Sequence, residues 1–325
     1  MAVLNIVEAV NQALKEEMRR DDSVVVLGED VGVNGGVFRA TLGLLEEFGE
    51  NRVIDTPLSE NGIMGGAIGM AINGLKPVAE IQFMGFIYYI LNHIICHAAR
   101  LRNRTRGKLT APLVIRAPYG AGIRAPEHHS ESAEALFTQI PGIKVVVPSM
   151  PSEAKGLLIS AIRDPDPVIF LEPKKIYRAI KEDISEKEYT IPLGKARIVK
   201  EGKDITIFCW GAMVKVAESA SEKARDEDIN VEIIDLRTLS PLDKEAIIGS
   251  VKNTGRAIVV HEAPKTCGLG AEIVSLINEE TLLHLNAPIL RITGQDIAVP
   301  FSKGEDYYIP SVERVLLGLR KTMSF

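Results

Sequence analysis

Glu60 has the most informative surroundings in this chain. It lies in the run Arg52-Val-Ile-Asp-Thr-Pro-Leu-Ser-Glu60-Asn-Gly-Ile-Met-Gly-Gly-Ala-Ile-Gly-Met-Ala71, where a helix is predicted to begin. Four glycines, Gly62, Gly65, Gly66 and Gly69, fall in the first turns of that helix. Glycine is about 1 kcal/mol less favourable than alanine in a helix, so this concentration indicates close approach of a bulky group. A carboxylate beside that group could share a proton with it.

A glutamate in the first turn of a helix also has a simpler explanation, because it interacts favourably with the helix macrodipole. The neighbouring residues favour a functional role. Thr56-Pro57 predicts an extended entry, Ser59 can cap the helix, and the glycines leave space beyond the carboxylate. Glu60 is therefore a candidate catalytic residue, with the macrodipole as the alternative.

The second candidate site is a loop, Arg116-Ala-Pro-Tyr-Gly-Ala-Gly-Ile-Arg-Ala-Pro-Glu-His128-His129-Ser-Glu-Ser132. A buried strand is predicted to end at Arg116, and α/β proteins keep reactive groups on the loops that follow such strands. One loop histidine is usually solvated or bonded within the core. Here two histidines, His128 and His129, are adjacent and are followed by Ser130-Glu-Ser132, which makes this loop a candidate site.

Three further patterns carry chemistry-bearing residues. Glu80-Ile-Gln-Phe83-Met-Gly-Phe86 predicts a strand end followed by aromatic residues, which either fill the core or stack on a ring. His93 and His97 have the spacing of a zinc helix, but Ile94 stands where HExxH needs glutamate, so a polar patch at a helix interface is favoured. The basic run from Arg100 to Lys108 is interpreted as a solvated or subunit-contacting helix end.

Short apolar runs alternate with longer amphipathic stretches, which predicts two α/β domains. The runs are nearly continuous, as in strands buried on both faces of a parallel sheet. A first helix is predicted after the cap Asn5, and further helices at about 60–74, 86–105 and 151–163. Predicted strands of the first domain are Ser23–Leu27, Val78–Gln82, Leu113–Arg116, Lys144–Val147 and Val168–Leu171, and those of the second are Ile205–Trp210, Val231–Leu236, Ala257–His261 and Ile289–Thr293.

Composition excludes several classes of protein. The net charge of −5 argues against binding nucleic acid through phosphate neutralisation. The longest apolar run, Phe83 to Leu91, is much shorter than the roughly 20 residues of a membrane span, and no signal peptide is expected. Three widely spaced cysteines are typical of reduced thiols. We expect a cytoplasmic protein without a membrane or nucleic-acid partner.

The Glu60 and His129 segments resemble those of the β subunits of thiamine-diphosphate-dependent 2-oxo acid dehydrogenases, the E1 component of the pyruvate and branched-chain complexes. The resemblance runs from about residue 3 to the C-terminus and includes Gly28-Glu-Asp-Val-Gly, Gly35-Gly-Val-Phe-Arg39, Pro141-Gly-Ile-Lys-Val-Val-Val-Pro148, Ala154-Lys-Gly-Leu-Leu158 and Arg291-Ile-Thr-Gly-Gln-Asp296. It implies a transketolase-like pyrimidine-binding domain at 1–180, a linker at 181–192 and a smaller transketolase C-terminal-like domain at 193–325, both doubly wound.

The resemblance also implies roles for particular residues. Glu60 would contact the pyrimidine ring of the cofactor, Phe86 would stack on that ring, and Leu58 would wall the same pocket. His129, aligned through Ser130 and Ser132, would bind the substrate carboxylate or move a proton during acyl transfer. A K⁺ site is implied at Leu113, Ala161, Ile162, Asp164 and Asp166, where the family often has asparagine in place of Asp166; an Asp-Pro turn is the alternative.

The sequence contains no Gly-Asp-Gly, the start of the usual motif that binds Mg²⁺ and diphosphate. The resemblance therefore implies an α2β2 heterotetramer in which an α subunit holds Mg²⁺ and the diphosphate. A small 2-oxo acid would be decarboxylated and its acyl group passed to a lipoyl-bearing E2, with Asp296 and Phe325 as candidate E2 contacts. Gly35-Gly-Val-Phe-Arg39 and Gln82-Phe83 favour a branched-chain substrate such as 2-oxoisovalerate over pyruvate.

Three alternatives remain open at this point. The chain could be a split transketolase-type subunit, a non-catalytic assembly scaffold, or an α/β nucleotide-binding module. The third is disfavoured because no GxGxxG or GxxxxGK[ST] phosphate loop occurs.

Overall fold

The computed structural model describes residues 2–325, and the chain forms two compact units. The first contains the residues up to Tyr119 together with Leu136–Leu193, and the second contains Gly120–Ala135 together with Gly194–Phe325. Each unit is built on its own mostly parallel sheet. The domain division at 181–192 stays a prediction; within that segment the structure has a short strand, Glu182–Ile184.

The first unit is a parallel sheet with strand order β6-β7-β5-β4-β2-β3. Its elements, with α5 crossing the border between the units, are β1 (Ala2–Leu4), α1 (Ile6–Arg20), β2 (Val24–Gly28), α2 (Leu44–Phe48), β3 (Val53–Asp55), α3 (Glu60–Ile72), β4 (Lys76–Glu80), α4 (Leu101–Arg104), β5 (Val114–Tyr119), α5 (Glu134–Thr138), β6 (Lys144–Val146), α6 (Pro151–Arg163), β7 (Val168–Pro173) and β8 (Glu182–Ile184). Strands β1 and β8 form a separate antiparallel pair.

The central strands of this sheet are buried along their whole length, as their apolar runs predict. Every residue of β2, β5 and β7 is buried. The predicted cap Asn5 is confirmed: its side chain accepts a hydrogen bond from the amide of Glu8, at 3.1 Å, and the Glu8 carboxylate accepts one from the amide of Asn5, at 2.8 Å. This reciprocal pair fixes the start of α1, which packs against α6.

The single helix predicted at about 86–105 is wrong. Met84–Ile90 is a 3₁₀ helix, His93–Ala98 is a π-helix, and only Leu101–Arg104 is a short α-helix. Aromatic and β-branched residues dominate the first part of this segment, and both types have low helix propensity. Irregular helical turns of this kind often occur at functional sites.

The second unit has strand order β14-β13-β10-β11-β9, parallel except for β9, which is antiparallel to β11. Its elements are β9 (Arg197–Lys200), β10 (Ile205–Cys209), α7 (Met213–Arg225), β11 (Val231–Asp235), β12 (Thr238–Ser240), α8 (Lys244–Thr254), β13 (Ala257–Pro264), α9 (Leu269–Thr281), β14 (Leu290–Gly294), α10 (Glu305–Tyr308) and α11 (Val312–Met323). The four strands predicted here are β10, β11, β13 and β14. The edge strand β9 and the helix α11 were not predicted.

Two further findings bear on the sequence expectations. Over residues 2–325, no helix is both long and apolar enough to cross a membrane. All three cysteines are free thiols: Cys96 is half-buried, Cys209 is buried and Cys267 is exposed.

Candidate active site

The candidate site in the first unit begins at the N-terminus of α3. Glu60 is the first residue of this helix, and the side chain of the N-cap Ser59 accepts a hydrogen bond from the amide of Gly62, at 3.3 Å. The Glu60 side chain is half-buried. The predicted helix and its cap are therefore confirmed, and the cap fixes the position of the Glu60 backbone.

Three of the four glycines of α3 face open space within the described part of the chain, whereas a methyl group on Gly62 would lie 3.1 Å from the Ser59 hydroxyl oxygen. A methyl group placed on Gly66 or Gly69 would meet no atom within 4 Å, and one on Gly65 would meet only Cε1 of His93, at 3.8 Å. The fold of this chain thus gives no steric reason for glycine at these three positions. Another group could therefore lie directly against the backbone at these three glycines, which follow Glu60 by five, six and nine residues and so lie on other faces of α3.

A second carboxylate lies close to Glu60. Glu29 follows the end of β2, and burial raises the pKa of its carboxyl group, with repulsion from Glu60 and Asp30 adding to the effect. The carboxylate of Asp55, at the end of β3, accepts hydrogen bonds from the amides of Gly32 and Val33, at 2.6 and 3.0 Å. Acidic groups therefore gather at the carboxyl edge of the sheet, where α/β folds place their sites. Sequence reasoning gave Glu29 no role.

Aromatic rings form a connected row beside this edge. Phe86 lies on the 3₁₀ helix that packs against α3, and its ring contacts that of Phe83 edge-to-face, with centroids 5.9 Å apart. Phe83 in turn contacts Phe38 at 5.6 Å, and Phe38 contacts Tyr177 at 5.1 Å. Phe86 is half-buried, whereas Leu58 is 82% exposed. The structure thus brings the elements that carry Glu60 and Phe86 into direct contact.

The row of rings ends at a buried ion cluster on the central strands. Arg116 donates two hydrogen bonds to Glu172, at 2.6 and 3.0 Å, and one to Glu80, at 2.8 Å. The Tyr177 hydroxyl donates to Glu172 at 2.7 Å. Arg116, Glu80 and Glu172 are all buried. Sequence reasoning did not find this cluster; its only signal was a polar residue at the end of three neighbouring apolar strands.

The histidine loop belongs to the second unit, with Glu127–His129 forming a 3₁₀ turn. The amide of His129 donates to the carbonyl of Pro126 at 2.9 Å, and the hydroxyl of the buried Ser130 donates to the carbonyl of Ala125 at 3.3 Å. His129 is half-buried, whereas the side chain of His128 is exposed and lies 3.6 Å from the Glu127 carboxylate. Burial therefore distinguishes the two histidines, and the functional role of His129 stays a prediction.

The candidate K⁺ ligands lie at the C-terminal end of α6 and the start of β5. The Leu113 carbonyl accepts from the amide of Val168, at 3.0 Å, and the Ala161 carbonyl accepts from that of Asp164, at 3.2 Å. The Asp164 carboxylate binds the Lys144 ammonium, and that of Asp166 binds the Arg102 guanidinium, both at 2.7 Å. Among residues 2–325 there is no group of three His, Cys, Asp or Glu side chains placed to hold a metal ion.

The remaining candidates are surface features. His93 and His97 lie on the π-helix with ring centroids 5.9 Å apart. Asp296 accepts hydrogen bonds from the amide and hydroxyl of Thr266, at 2.8 and 2.7 Å, and these bonds lower the pKa of its carboxyl group. Phe325 is 64% exposed.

Comparison with known proteins identifies both units. Residues 3–180 match the family Transketolase, pyrimidine binding domain, and residues 194–315 match Transketolase, C-terminal domain. A solved structure described as "Split gene transketolase, inactive beta4 tetramer" superposes with a TM-score of 0.81 at 22% identity, covering 99% of each chain, and this likeness shows the fold. The predicted fold class is confirmed, and the chain is a transketolase-like protein.

Relatives narrow this class to one kind of subunit. The pyruvate dehydrogenase E1 component subunit beta of Acholeplasma laidlawii is 54% identical over 99% of this chain and 98% of its own length. The subunits of the same name from Bacillus subtilis and Staphylococcus aureus are 50% and 47% identical over the whole of both chains. The chain belongs to the family of E1 β subunits of 2-oxo acid dehydrogenases, enzymes that depend on thiamine diphosphate.

The residues of the first unit fit one end of that cofactor. A half-buried carboxylate and a half-buried aromatic ring, carried on two elements that contact each other, suit an aminopyrimidine ring, which needs a hydrogen-bond partner and a stacking partner. The sequence contains no Gly-Asp-Gly, the usual start of the motif for the diphosphate end of the cofactor.

Proposed function

We propose that this chain is the β subunit of a pyruvate dehydrogenase E1 and acts with an α subunit in an α2β2 heterotetramer. The enzyme would decarboxylate pyruvate and pass the acyl group to a lipoyl-bearing E2. The observation that carries this proposal is Glu60 at the capped start of α3, a helix on which Gly65, Gly66 and Gly69 meet almost nothing in their own chain. An open surface of that kind suits a cofactor and a partner subunit.

The substrate proposed here is pyruvate, whereas the sequence analysis favoured a branched-chain 2-oxo acid. The branched-chain preference has no support from the relatives, since all three described above are pyruvate dehydrogenase subunits. The distant likeness to a split transketolase is carried by the fold alone and favours no second function.

Glu60, Phe86 and Leu58 would together bind the aminopyrimidine end of the cofactor. Glu60 would hold a proton at the ring nitrogen it faces, Phe86 would stack on the ring, and Leu58, exposed in the free chain, would be covered. When bound, thiamine diphosphate supplies a thiazolium carbon that adds to the 2-oxo carbon of the substrate. Mg²⁺ and the diphosphate would be held by the α subunit.

His129 would act at the substrate end, binding the carboxylate of pyruvate or moving a proton during acyl transfer. Replacing it with alanine is expected to lower kcat/KM for pyruvate by about 10²-fold. A rise in KM alone would indicate carboxylate binding, and a fall in kcat would indicate proton transfer. His128→Ala is the matched control and should retain the parent's kcat/KM. Equal values for both variants and the parent would contradict the assignment.

Two smaller assignments complete the proposal. A K⁺ ion would lie among Leu113, Ala161, Ile162, Asp164 and Asp166. The carbonyl-rich end of α6 supports it, because carbonyl and carboxylate oxygens suit a hard cation.

The second assignment concerns the partner E2. Asp296 and Phe325 would contact it. Asp296 lies in the segment directly after β14, and Phe325 is exposed at the end of the chain. The cytoplasmic location stays a prediction.

Co-expression with an E1 α chain tests the function directly. The purified complex should decarboxylate pyruvate with a higher kcat/KM than 2-oxoisovalerate, and the β chain alone should decarboxylate neither. Assays in K⁺ and in Na⁺ buffers test the cation site, with higher activity expected in K⁺. Decarboxylation by the isolated β chain, or two-carbon transfer between sugar phosphates by the complex, would contradict the proposal.

A further inference from the structure

We propose that Glu305 and Glu262 are positioning residues that hold the loop carrying His129 in its working conformation. The inference rests on the role proposed above for His129. It concerns only contacts within the second unit, to which the loop and both glutamates belong.

Glu305 binds two backbone amides of the loop with its two carboxylate oxygens. Oε1 accepts from the amide of Gly122 at 2.8 Å, and Oε2 accepts from that of Arg124 at 3.0 Å. Glu305 is 2% exposed, although it is the first residue of the four-residue helix α10. A buried carboxylate shared between two amides makes strong, charge-assisted hydrogen bonds and fixes their spacing.

The backbone that Glu305 holds has unusual dihedral angles. Gly122 has φ +115° and Arg124 has φ +54°. An L-residue such as Arg124 adopts a positive φ only at an energetic cost, so other contacts must hold it there. The two hydrogen bonds to Glu305 are contacts of this kind.

Glu262 fixes the beginning of the same loop. It lies on β13, is 2% exposed, and accepts a hydrogen bond from the amide of Ala121 at 3.1 Å. Gly120 packs so closely that a methyl group there would lie 2.8 Å from the Glu262 carboxylate. The amide of Gly120 also donates to the carbonyl of Glu131, at 2.9 Å, and this bond closes the base of the loop.

The far end of the segment is held in a similar way. Trp210, which directly follows β10, donates from its indole nitrogen to Glu134 at 3.2 Å. Side chains from two strand ends and one helix therefore hold both ends of the segment that contains His129. A loop fixed by rigid elements can present a side chain with little loss of conformational entropy, which is what a catalytic or binding histidine needs.

The test uses the co-expressed α2β2 enzyme and four variants: Glu305→Ala, Glu305→Gln, His129→Ala, and the double variant His129→Ala/Glu305→Ala. Glu305→Ala is expected to lower kcat/KM for pyruvate by about 10²-fold, because misplacement by roughly 1 Å can have that effect. Glu305→Gln keeps one acceptor oxygen and should be intermediate. Because Glu305 acts through His129, the double variant should be no worse than His129→Ala alone.

A structural readout accompanies the kinetics. Hydrogen exchange of peptides covering residues 120–132 should become faster in Glu305→Ala, while peptides covering α3 keep the parent's rate. Asp306→Asn is the matched control. Asp306 is the neighbouring acid and binds the Arg124 side chain at 2.7 Å instead of a loop amide, so its loss should leave activity and exchange unchanged.

Several outcomes would overturn the inference. Losses that multiply in the double variant would show that Glu305 acts independently of His129. Failure of both Glu305 variants to assemble would assign the residue to folding, and an equal loss in Asp306→Asn would assign the effect to surface charge. If His129→Ala alone retained the parent's activity, the proposed function of His129 would be wrong, whatever the loop exchange showed.

Discussion

Replacing Glu60 with glutamine is expected to slow pyruvate decarboxylation by the assembled enzyme roughly 10²–10⁴-fold, or about 3–5 kcal/mol of barrier. Glutamine has nearly the same shape and keeps a hydrogen-bonding oxygen, but its amide group is not ionisable and cannot take up or release a proton at neutral pH. The α3 cap does not involve the Glu60 side chain, since the Ser59 hydroxyl accepts the Gly62 amide. The loss should therefore appear in kcat with little change in Tm.

The competing explanation of Glu60 is a favourable interaction with the helix macrodipole. It predicts that Glu60→Gln lowers Tm and leaves kcat unchanged. Glu245 is a suitable control because it also lies in the first turn of a helix, α8, whose N-cap is Asp243. Glu245→Gln should lower Tm slightly and leave turnover at the parent's value. Deuterium exchange at C2 of bound thiamine diphosphate gives a second measurement. If the Glu60→Gln enzyme kept the parent's C2 exchange and turnover, the catalytic role would be contradicted, and Glu60 would only stabilise the helix.

The elements that local pattern defines could be predicted from the sequence. β2 and β7 are short apolar runs, and burial on both faces of a parallel sheet requires that composition. The start of α3 depends on Ser59 and the residues directly after it, and the start of α1 depends on Asn5 and Glu8. These signals lie within four residues of one another, so no knowledge of the tertiary structure was needed.

The contacts that organise the candidate sites could not be predicted in this way. Glu305 lies 183 residues from Gly122, and Glu262 lies 141 residues from Ala121. Glu305 has the local composition of an ordinary surface acid, and Glu262, although it directly follows a predicted buried strand, gives no local sign of its partner. Hydrogen bonds of this kind are fixed by which strand ends meet, and hydrophobic periodicity carries no information about that pairing. The break of the predicted helix at 86–105 into three helical types has the same origin, because weak local propensity leaves the backbone to tertiary packing.

Family resemblance supplied what periodicity could not, namely roles for Glu60, Phe86 and His129. The structure adds a physical distinction at one of these positions: His129 is half-buried, while its neighbour His128 is exposed. It adds a second at α3, where the glycines meet open space in their own chain. Both observations are independent of the resemblance.

Replacing Arg116 with methionine is expected to have the second large effect, a loss of stability of the β chain. The Arg116 guanidinium donates three hydrogen bonds to the buried carboxylates Glu80 and Glu172 and so neutralises charge among them. Removing one partner of a buried ion pair leaves uncompensated charge, and the expected loss is about 3–5 kcal/mol of unfolding free energy. Thermal unfolding of the β chain measures it. Arg320→Met, which breaks an exposed pair with Glu227, should leave Tm close to the parent's.

The pH dependence of that loss separates charge from packing. Burial already raises the pKa of the Glu80 carboxyl group, even with Arg116 beside it, and removing Arg116 should raise this pKa further. A carboxyl group whose pKa is higher in the folded than in the unfolded state binds its proton more tightly when folded. Its contribution to stability is present at low pH and is lost as pH rises through the folded pKa. The Tm of Arg116→Met should therefore lie closer to the parent's at acidic pH than at alkaline pH. Adding Glu172→Gln, which removes one negative charge, should recover part of the alkaline loss. A Tm deficit that stays constant across pH, and does not respond to Glu172→Gln, would show that Arg116 stabilises the sheet by packing instead of by charge.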